Sequence, residues 1–174
     1  KGAPLVLDHG YGEFHPWFHS RINVNHMYDD DLGDVTACFA GDGGAFVQGD
    51  ITFSRLSLKE HAWVKEWPFQ PEPIDGRSMR ANWRRRIVFM KDPDPDGPNY
   101  LVLRDSVRGE LPTEWVLWAY GEVADLQATP IRAKGKFGVD LLVYLLDADK
   151  GQVNTGRIDF SPAPPSDPRP KQTL

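Results

Sequence analysis

The segment between Asp8 and Asp31 holds the side chains best suited to chemistry in this 174-residue chain. Four of the five histidines lie in it, and histidine titrates near neutral pH, transfers protons and binds metal ions. Their spacing matches no common zinc pattern, and Pro16 argues against a helical face shared by the two nearest histidines. The segment therefore predicts either a functional cleft or a surface loop with satisfied histidines. The histidines are His9, His15, His19 and His26.

Arginines are concentrated at 84–86, with Arg80 nearby. A planar guanidinium binds a carboxylate or sulfate through two parallel hydrogen bonds. Alternate side chains of a strand point to opposite faces, so Arg84 and Arg86 should share one face and Arg85 the other. Two interpretations stay open: a solvent-facing surface with ordinary ion pairs, or a wall that binds an anionic ligand.

Two acidic runs are better explained by loops than by metal sites. Asp92-x-Asp94-x-Asp96-Gly97 resembles the start of a calcium-binding loop, whose twelfth position should be Glu. Leu103 occupies that position, and the intervening prolines fit such a loop poorly. We therefore interpret 92–98 as a turn between two strands. The three consecutive aspartates at 29–31 are interpreted as a solvated loop.

Short strands are the elements expected to position these residues. The chain has 16 glycines and 15 prolines, so a residue that disfavours helix occurs at about every fifth or sixth position. Aromatic residues, which are frequent in strands, make up 11% of the chain, and six of them are tryptophan. Four tryptophans in strand-like segments are expected to pack in the core, with platforms for sugar rings as the alternative. They are Trp63, Trp67, Trp115 and Trp118.

Alternating and apolar segments predict about nine or ten strands separated by turns. The glycine-rich run at 41–44 predicts a hairpin, and Gly138 favours a strand over a short helix for the last segment. The pattern implies an all-β fold, an antiparallel β-sandwich with little helix. We expect this domain at 1–160, with a proline-rich tail or linker at 161–174. The predicted strands are 4–7, 21–25, 34–40, 45–53, 61–67, 84–91, 100–105, 114–120 and 139–146.

Charge and cysteine usage exclude several classes of protein. With 20 basic and 25 acidic residues, the net charge is −5 and the pI is about 5.5, which excludes a strongly basic surface for nucleic acid. No apolar run is long enough for a transmembrane helix. Cys38 is the only cysteine, so neither an internal disulfide nor a cysteine-based zinc cage can form. Because the first residue is Lys1 and no signal peptide follows, we expect a processed or trimmed chain, or a section of a longer one.

Four parts of the sequence, the third of them made of two strands, resemble in this order the β-sandwich domain of the heparinase II/III-like polysaccharide lyases. Residues 2–12 are similar to the family's G-x-x-L-x-x-D-x-G-x-y strand, and 19–24 to its H-N-t-v-x-v strand. Residues 84–91 and 100–107 are similar to the strands R-x-v-x-f-x-k and y-x-v-v-x-D-x-v, and 112–118 fits the strand that follows. The resemblance spans nearly the whole chain and implies a supersandwich-like β-sandwich.

The resemblance also implies a function: a secreted or periplasmic bacterial lyase that cleaves a uronic-acid-containing polysaccharide by β-elimination. In such enzymes a base removes the proton beside the uronic carboxylate, polar groups neutralise that carboxylate, and an acid protonates the departing oxygen. The implied partners are an acidic polysaccharide or oligosaccharide and a helical domain or chain that is missing here, with no nucleic acid and no membrane. The alternative is a non-catalytic carbohydrate-binding or structural β-sandwich domain of a larger secreted protein.

The resemblance assigns catalytic candidates residue by residue. His19 matches the motif histidine, although Ser20 replaces the usual Asn. Tyr11 and His15 are further catalytic candidates because they lie near it in the sequence. We expect the segment that ends at His26 to line a cleft beside the helical domain.

Binding candidates follow in the same way. Arg21 and Trp17 are the expected substrate-binding residues. Asp8 matches a position that helps bind a structural divalent metal, often zinc, with histidines from elsewhere. No histidine stands at 49–54, where a downstream ligand is expected, so the sequence leaves that metal site incomplete.

Overall fold

A computed structural model describes residues 19–27, 29, 31–57, 71–123, 125–126, 130–135 and 138–146. All regular secondary structure in these ranges is β-strand, which confirms the predicted all-β, antiparallel, sandwich-like fold. The strands are β1 (Ile22–Val24), β2 (Asp34–Gly41), β3 (Gly44–Phe53), β4 (Ala81–Met90), β5 (Tyr100–Gly109), β6 (Thr113–Trp115), β7 (Gly121–Val123), β8 (Ile131–Gly135) and β9 (Leu141–Val143). The chain divides into two compact units, 1–120 and 121–174.

The first unit is built on an antiparallel sheet in the order β2-β3-β4-β5. The predicted hairpin forms, with Asp42 and Gly43 between β2 and β3. The aspartate run joins β4 to β5 as a turn, because Asp92 Oδ1 accepts a hydrogen bond from the amide of Asp94 (2.9 Å), and Asp94 Oδ1 accepts one from the amide of Asp96 (2.9 Å). These side-chain-to-backbone bonds confirm the interpretation of 92–98 as a turn.

One face of this sheet, the inner face, forms part of the core. Phe53 and Ala81 are buried on it, and Trp83 stacks on Phe53 with ring centroids 6.2 Å apart. The short sheet of β1 and β6 supplies the opposing layer, since Val24 packs into the same cluster. The remaining buried members of that cluster are Met27, Leu56 and Leu111.

A tight turn follows β1 and fixes the chain direction. The amide of Met27 donates to the carbonyl of Val24 (3.0 Å), and the two central residues, Asn25 and His26, have φ angles of 50° and 51°. Two positive φ values are the signature of a type I′ turn, in which Asn is common at the first position. The buried Asn25 amide also exchanges two hydrogen bonds with the backbone of Glu72, as a strand neighbour would.

The second unit contains an antiparallel sheet in the order β7-β8-β9. Its last strand confirms a strand within the predicted segment 139–146. Strands β7 and β8 were not predicted, because β7 has only three residues and β8 carries two basic ones. The predicted strand at 114–120 is shorter than expected and ends at Trp115.

Several predictions concern residues outside the described ranges. These are the strands at 4–7 and 61–67 and the proline-rich tail at 161–174. The boundary of the expected 1–160 domain also stays a prediction.

The β2–β3 turn provides a matched test of the fold. A Cβ atom added at Gly44 would overlap the carbonyl oxygen of Phe89 in β4, whereas one added at Gly43 meets nothing within 4 Å. We expect Gly44→Ala to lower the free energy of unfolding by about 2 kcal/mol, because the backbones of β3 and β4 must separate. Gly43→Ala should leave it nearly unchanged. Urea unfolding of both variants measures the difference, and equal midpoints would contradict this packing.

Candidate functional site

The structure describes two of the six predicted site residues. His19 and Arg21 lie within the described ranges, just before β1. The other four, Asp8, Tyr11, His15 and Trp17, lie outside them, so their roles stay predictions.

The segment 19–21 accepts hydrogen bonds from Arg85 on the inner face and from the chain that follows β6. Arg85 Nη1 donates to the carbonyl of Ser20 (2.9 Å), and the Trp118 amide donates to the Ser20 hydroxyl (3.1 Å). The amide of Val116 also donates to the carbonyl of Arg21 (2.9 Å). Ser20, which stands where the resembled motif has Asn, thus accepts hydrogen bonds through both of its oxygens.

The Arg21 side chain contacts two aromatic rings and a buried carboxylate. Its guanidinium lies over the rings of Phe53 and Trp83, 5.4 and 5.5 Å from their centroids, and forms an ion pair with Asp29 (3.1 Å). The Asp29 side chain is only 3% exposed, so the prediction of a solvated loop is wrong at this position: Arg21 supplies the partner that a buried carboxylate needs. The substrate-binding role of Arg21 stays a prediction.

The arginine run alternates as its strand register requires. Arg85 points inward and forms a two-bond ion pair with Asp105, with nitrogen–oxygen distances of 2.8 and 2.9 Å. Trp83 Nε1 also donates to this carboxylate (2.8 Å), and the Arg85 guanidinium lies 4.7 Å from the Trp83 ring centroid. Both charged side chains are about 15% exposed, so this pair sits largely between the layers.

A second polar group lies where β1 meets β6. Asn23 and Glu114 are cross-strand partners, and Asn23 Nδ2 donates to Glu114 Oε1 (3.2 Å). His26 Nδ1 lies 2.8 Å from the same oxygen, close enough for an ion pair, although the angle does not suit a directed hydrogen bond. The imidazole keeps 24% of its surface exposed. This arrangement places a part-buried imidazole beside a carboxylate, a combination of groups that proton-transfer sites also contain.

His26 also has an unusual backbone conformation. Its φ of 51° lies in the left-handed region, where glycine is the least strained residue and where type I′ turns commonly place it. A histidine there costs about 1 kcal/mol relative to glycine. Strain of this kind is frequent at functional sites. His26 belongs to the histidine-rich segment of the sequence, whereas no local pattern points to Glu114, which lies 88 positions away.

The outer face of the four-stranded sheet carries the other two arginines of the run. Arg84 forms an ion pair with Asp50 (2.5 Å), and Arg86 Nε donates to Gln48 Oε1 (2.8 Å). The Thr36 hydroxyl and the Arg84 guanidinium hold the pKa of Asp50 below its usual value. Arg104, from the neighbouring strand β5, lies directly opposite Arg86 and was missed by the sequence analysis.

Asp31 lies in a loop and is part exposed, as the sequence predicts, but its carboxylate also has hydrogen-bond partners. Its carboxylate accepts hydrogen bonds from the amide and hydroxyl of Ser54 (2.7 and 2.8 Å) and from the amide of Arg55 (3.0 Å). Partial burial works to raise the pKa of Asp31, but these hydrogen bonds outweigh it and hold the pKa below its usual value. Asp31 therefore fastens the segment before β2 to the end of β3.

Metal binding finds no support among the described residues, which contain no group of three or more His, Cys, Asp or Glu side chains arranged to hold an ion. Asp8, the predicted metal ligand, lies outside them, so the zinc site stays a prediction. Within the described ranges, no helix has the length and apolar character needed to cross a membrane.

Comparison with known proteins adds no relative: no family model, no curated protein and no solved structure matches the chain significantly. The resemblance to the heparinase II/III-like lyases therefore depends on the sequence segments quoted above.

The two faces of β4 carry one Asp–Arg pair each, which gives a matched test of burial. Asp105→Asn leaves the inner Arg85 charge without its partner, and we expect it to lower the free energy of unfolding by about 3 kcal/mol. Asp50→Asn disrupts a pair whose arginine is half exposed and should have little measurable effect. Chemical denaturation compares the two. Equal effects would contradict the assignment of the inner and outer faces.

Asp31 should make the free energy of unfolding depend on pH in the acidic range. Because its folded pKa lies below the unfolded value of about 3.9, the carboxylate stabilises the fold at neutral pH. That contribution is lost as the pH falls through the folded pKa. Asp31→Asn should cost about 1 kcal/mol at pH 7 and progressively less in acid.

The measurement is the urea midpoint as a function of pH, for wild type and Asp31→Asn. The control is Asp42→Asn, which changes an exposed turn carboxylate that makes no hydrogen bond to a described residue. A difference between wild type and Asp31→Asn that does not shrink in acid would contradict the role of Asp31.

Proposed function

We propose that the chain is part of a polysaccharide lyase that cleaves a uronic-acid-containing polysaccharide by β-elimination. The observation that carries this proposal is the approach of His26 Nδ1, in the turn directly after the motif strand β1, to Glu114 Oε1 of β6 (2.8 Å). The same segment carries the sequence resemblance. A secreted or periplasmic location follows from such a substrate.

β-Elimination needs a group that can take a proton from carbon beside a carboxylate. In the proposed role, Nε2 is the atom that exchanges the proton, and the Glu114 carboxylate beside Nδ1 stabilises the imidazolium electrostatically once the proton has been taken. Asn23, which is 1% exposed, donates to Glu114 and keeps the carboxylate in place. His26 thus joins the sequence-predicted catalytic candidates His19, Tyr11 and His15.

The backbone at position 26 accepts a histidine at a small cost, since Asn, Asp and His are the non-glycine residues enriched in the left-handed region. The contact with Glu114 pairs two charges only when His26 is protonated, and its side chains are 24% and 30% exposed, so it stabilises the fold only weakly. Since neither feature contributes much to stability, the role proposed for His26 is a chemical one.

His26→Asn tests this role because Asn keeps the left-handed turn and removes the imidazole. We expect elimination of uronic-acid polymers to fall by about 100-fold or more, with an unchanged unfolding midpoint. The assay follows the ultraviolet absorbance of the unsaturated product, using the chain or, where its gene encodes more, the longer product. The control is Asp75→Asn, at another left-handed turn residue (φ 47°), which should keep full activity.

Two outcomes would contradict the proposal at different levels. If no uronic-acid polymer gives an unsaturated product, the lyase assignment fails and the carbohydrate-binding or structural alternative takes its place. If the wild type is active and His26→Asn equals it, the lyase assignment stands and the role of His26 fails.

A further inference from the structure

The outer face of the four-stranded sheet places two arginines directly opposite each other. The register pairs Arg86 of β4 with Arg104 of β5. Facing side chains in an antiparallel pair lie about 5 Å apart at Cβ, and like charges at that distance repel. The sheet therefore concentrates positive charge at one place in a chain whose net charge is −5.

Neither arginine has a carboxylate partner among the described residues. Arg86 donates to the neutral Gln48 amide, and Arg104 makes no hydrogen bond or ion pair to the described part of the chain. The nearest acid on this face, Asp50, is held by Arg84 and Thr36 in the next row of the sheet. Asp34 lies in that row too, but on β2, the strand farthest from Arg104.

An exposed apolar surface begins in the adjoining row. Val88 and Val102 are cross-strand partners next to the arginines, 37% and 46% exposed, and the row continues through Phe46 to Phe39. Beyond it lies Tyr100, which is 56% exposed. The outer face thus sets guanidinium groups beside an apolar and aromatic strip.

We propose that Arg86 and Arg104 bind a carboxylate or sulfate group of an acidic oligosaccharide, whose sugar ring lies on the adjoining apolar row. Guanidinium forks match such oxyanions bidentately, and the apolar face of a sugar ring packs on apolar and aromatic side chains. The bound anion would relieve the repulsion between the two arginines.

The proposal that an oxyanion binds here depends on the positions of the two arginines. The proposal that a saccharide carries this oxyanion depends on the proposed function. The site is distinct from the His26–Glu114 pair. It lies on the face of the sheet opposite the one that holds Ser20 through Arg85. It would hold the polymer rather than react with it.

Binding to the 174-residue chain is measured by calorimetry with oligogalacturonate and with a sulfated dextran, which separate carboxylate from sulfate. Neutral dextran and a single-stranded DNA oligonucleotide complete the set. We expect at least one anionic saccharide to bind, with affinity reduced about tenfold or more in Arg86→Gln and in Arg104→Gln. Arg80→Gln, which removes an exposed arginine outside the pair, should bind as the wild type does.

Thermal unfolding of the same variants without ligand gives a second readout. Because each substitution removes a like-charge contact, Arg86→Gln and Arg104→Gln should melt at the same temperature as the wild type or higher. Weakened binding together with a lowered melting temperature would indicate loss of folded structure and would overturn the proposal.

The remaining outcomes distinguish failure of the oxyanion site from failure of the lyase assignment. Absence of saccharide binding, wild-type affinity in both arginine variants, or equal affinity for neutral dextran would overturn the site, even if elimination activity is found. Tighter binding of DNA than of either anionic saccharide would overturn the choice of ligand. Saccharide binding through the pair without elimination would leave the site standing and overturn the lyase assignment.

Discussion

Arg85 and Asp105 lie between the two layers of the first unit, where neither charge is well solvated and each needs the other. The two-bond geometry leaves Arg85 Nη1 to reach the carbonyl of Ser20, so the ion pair also fixes the segment before β1. Arg21 then lies over Trp83 and holds the buried Asp29. The Arg85–Asp105 pair therefore positions Ser20 directly, and through it Arg21 and Asp29.

Strand β4 uses the same residue type for two purposes. Its inward arginine donates two hydrogen bonds to Asp105 and one to the carbonyl of Ser20, lies against the Trp83 ring, and supports the fold. Its outward arginine, Arg86, has only a neutral amide and faces another arginine. The period of two along a strand is enough to produce this division, and the contrast in partners separates a structural group from one that can take a ligand.

The sequence predicts those parts of the structure that local patterns decide. Alternation predicts that Arg84 and Arg86 share a face, and glycine-rich or aspartate-rich runs predict both hairpins. Contacts between remote residues have no such local signal, because Glu114 approaches His26 only through the pairing of β1 with β6. The opposition of Arg86 and Arg104 depends on the length of the connection between their strands, and a shift of one residue would remove it.

The four-stranded sheet has β2 and β5 as its outer strands in the described structure, and each differs from a flat, regular edge. Strand β2 contains a bulge between Val35 and Ala37, and β5 carries Arg104 and Arg108. Bulges and positive charges on outer strands discourage a sheet from extending into a second molecule. The arginine proposed to hold a ligand thus also makes the outer strand less able to pair with the sheet of a second molecule.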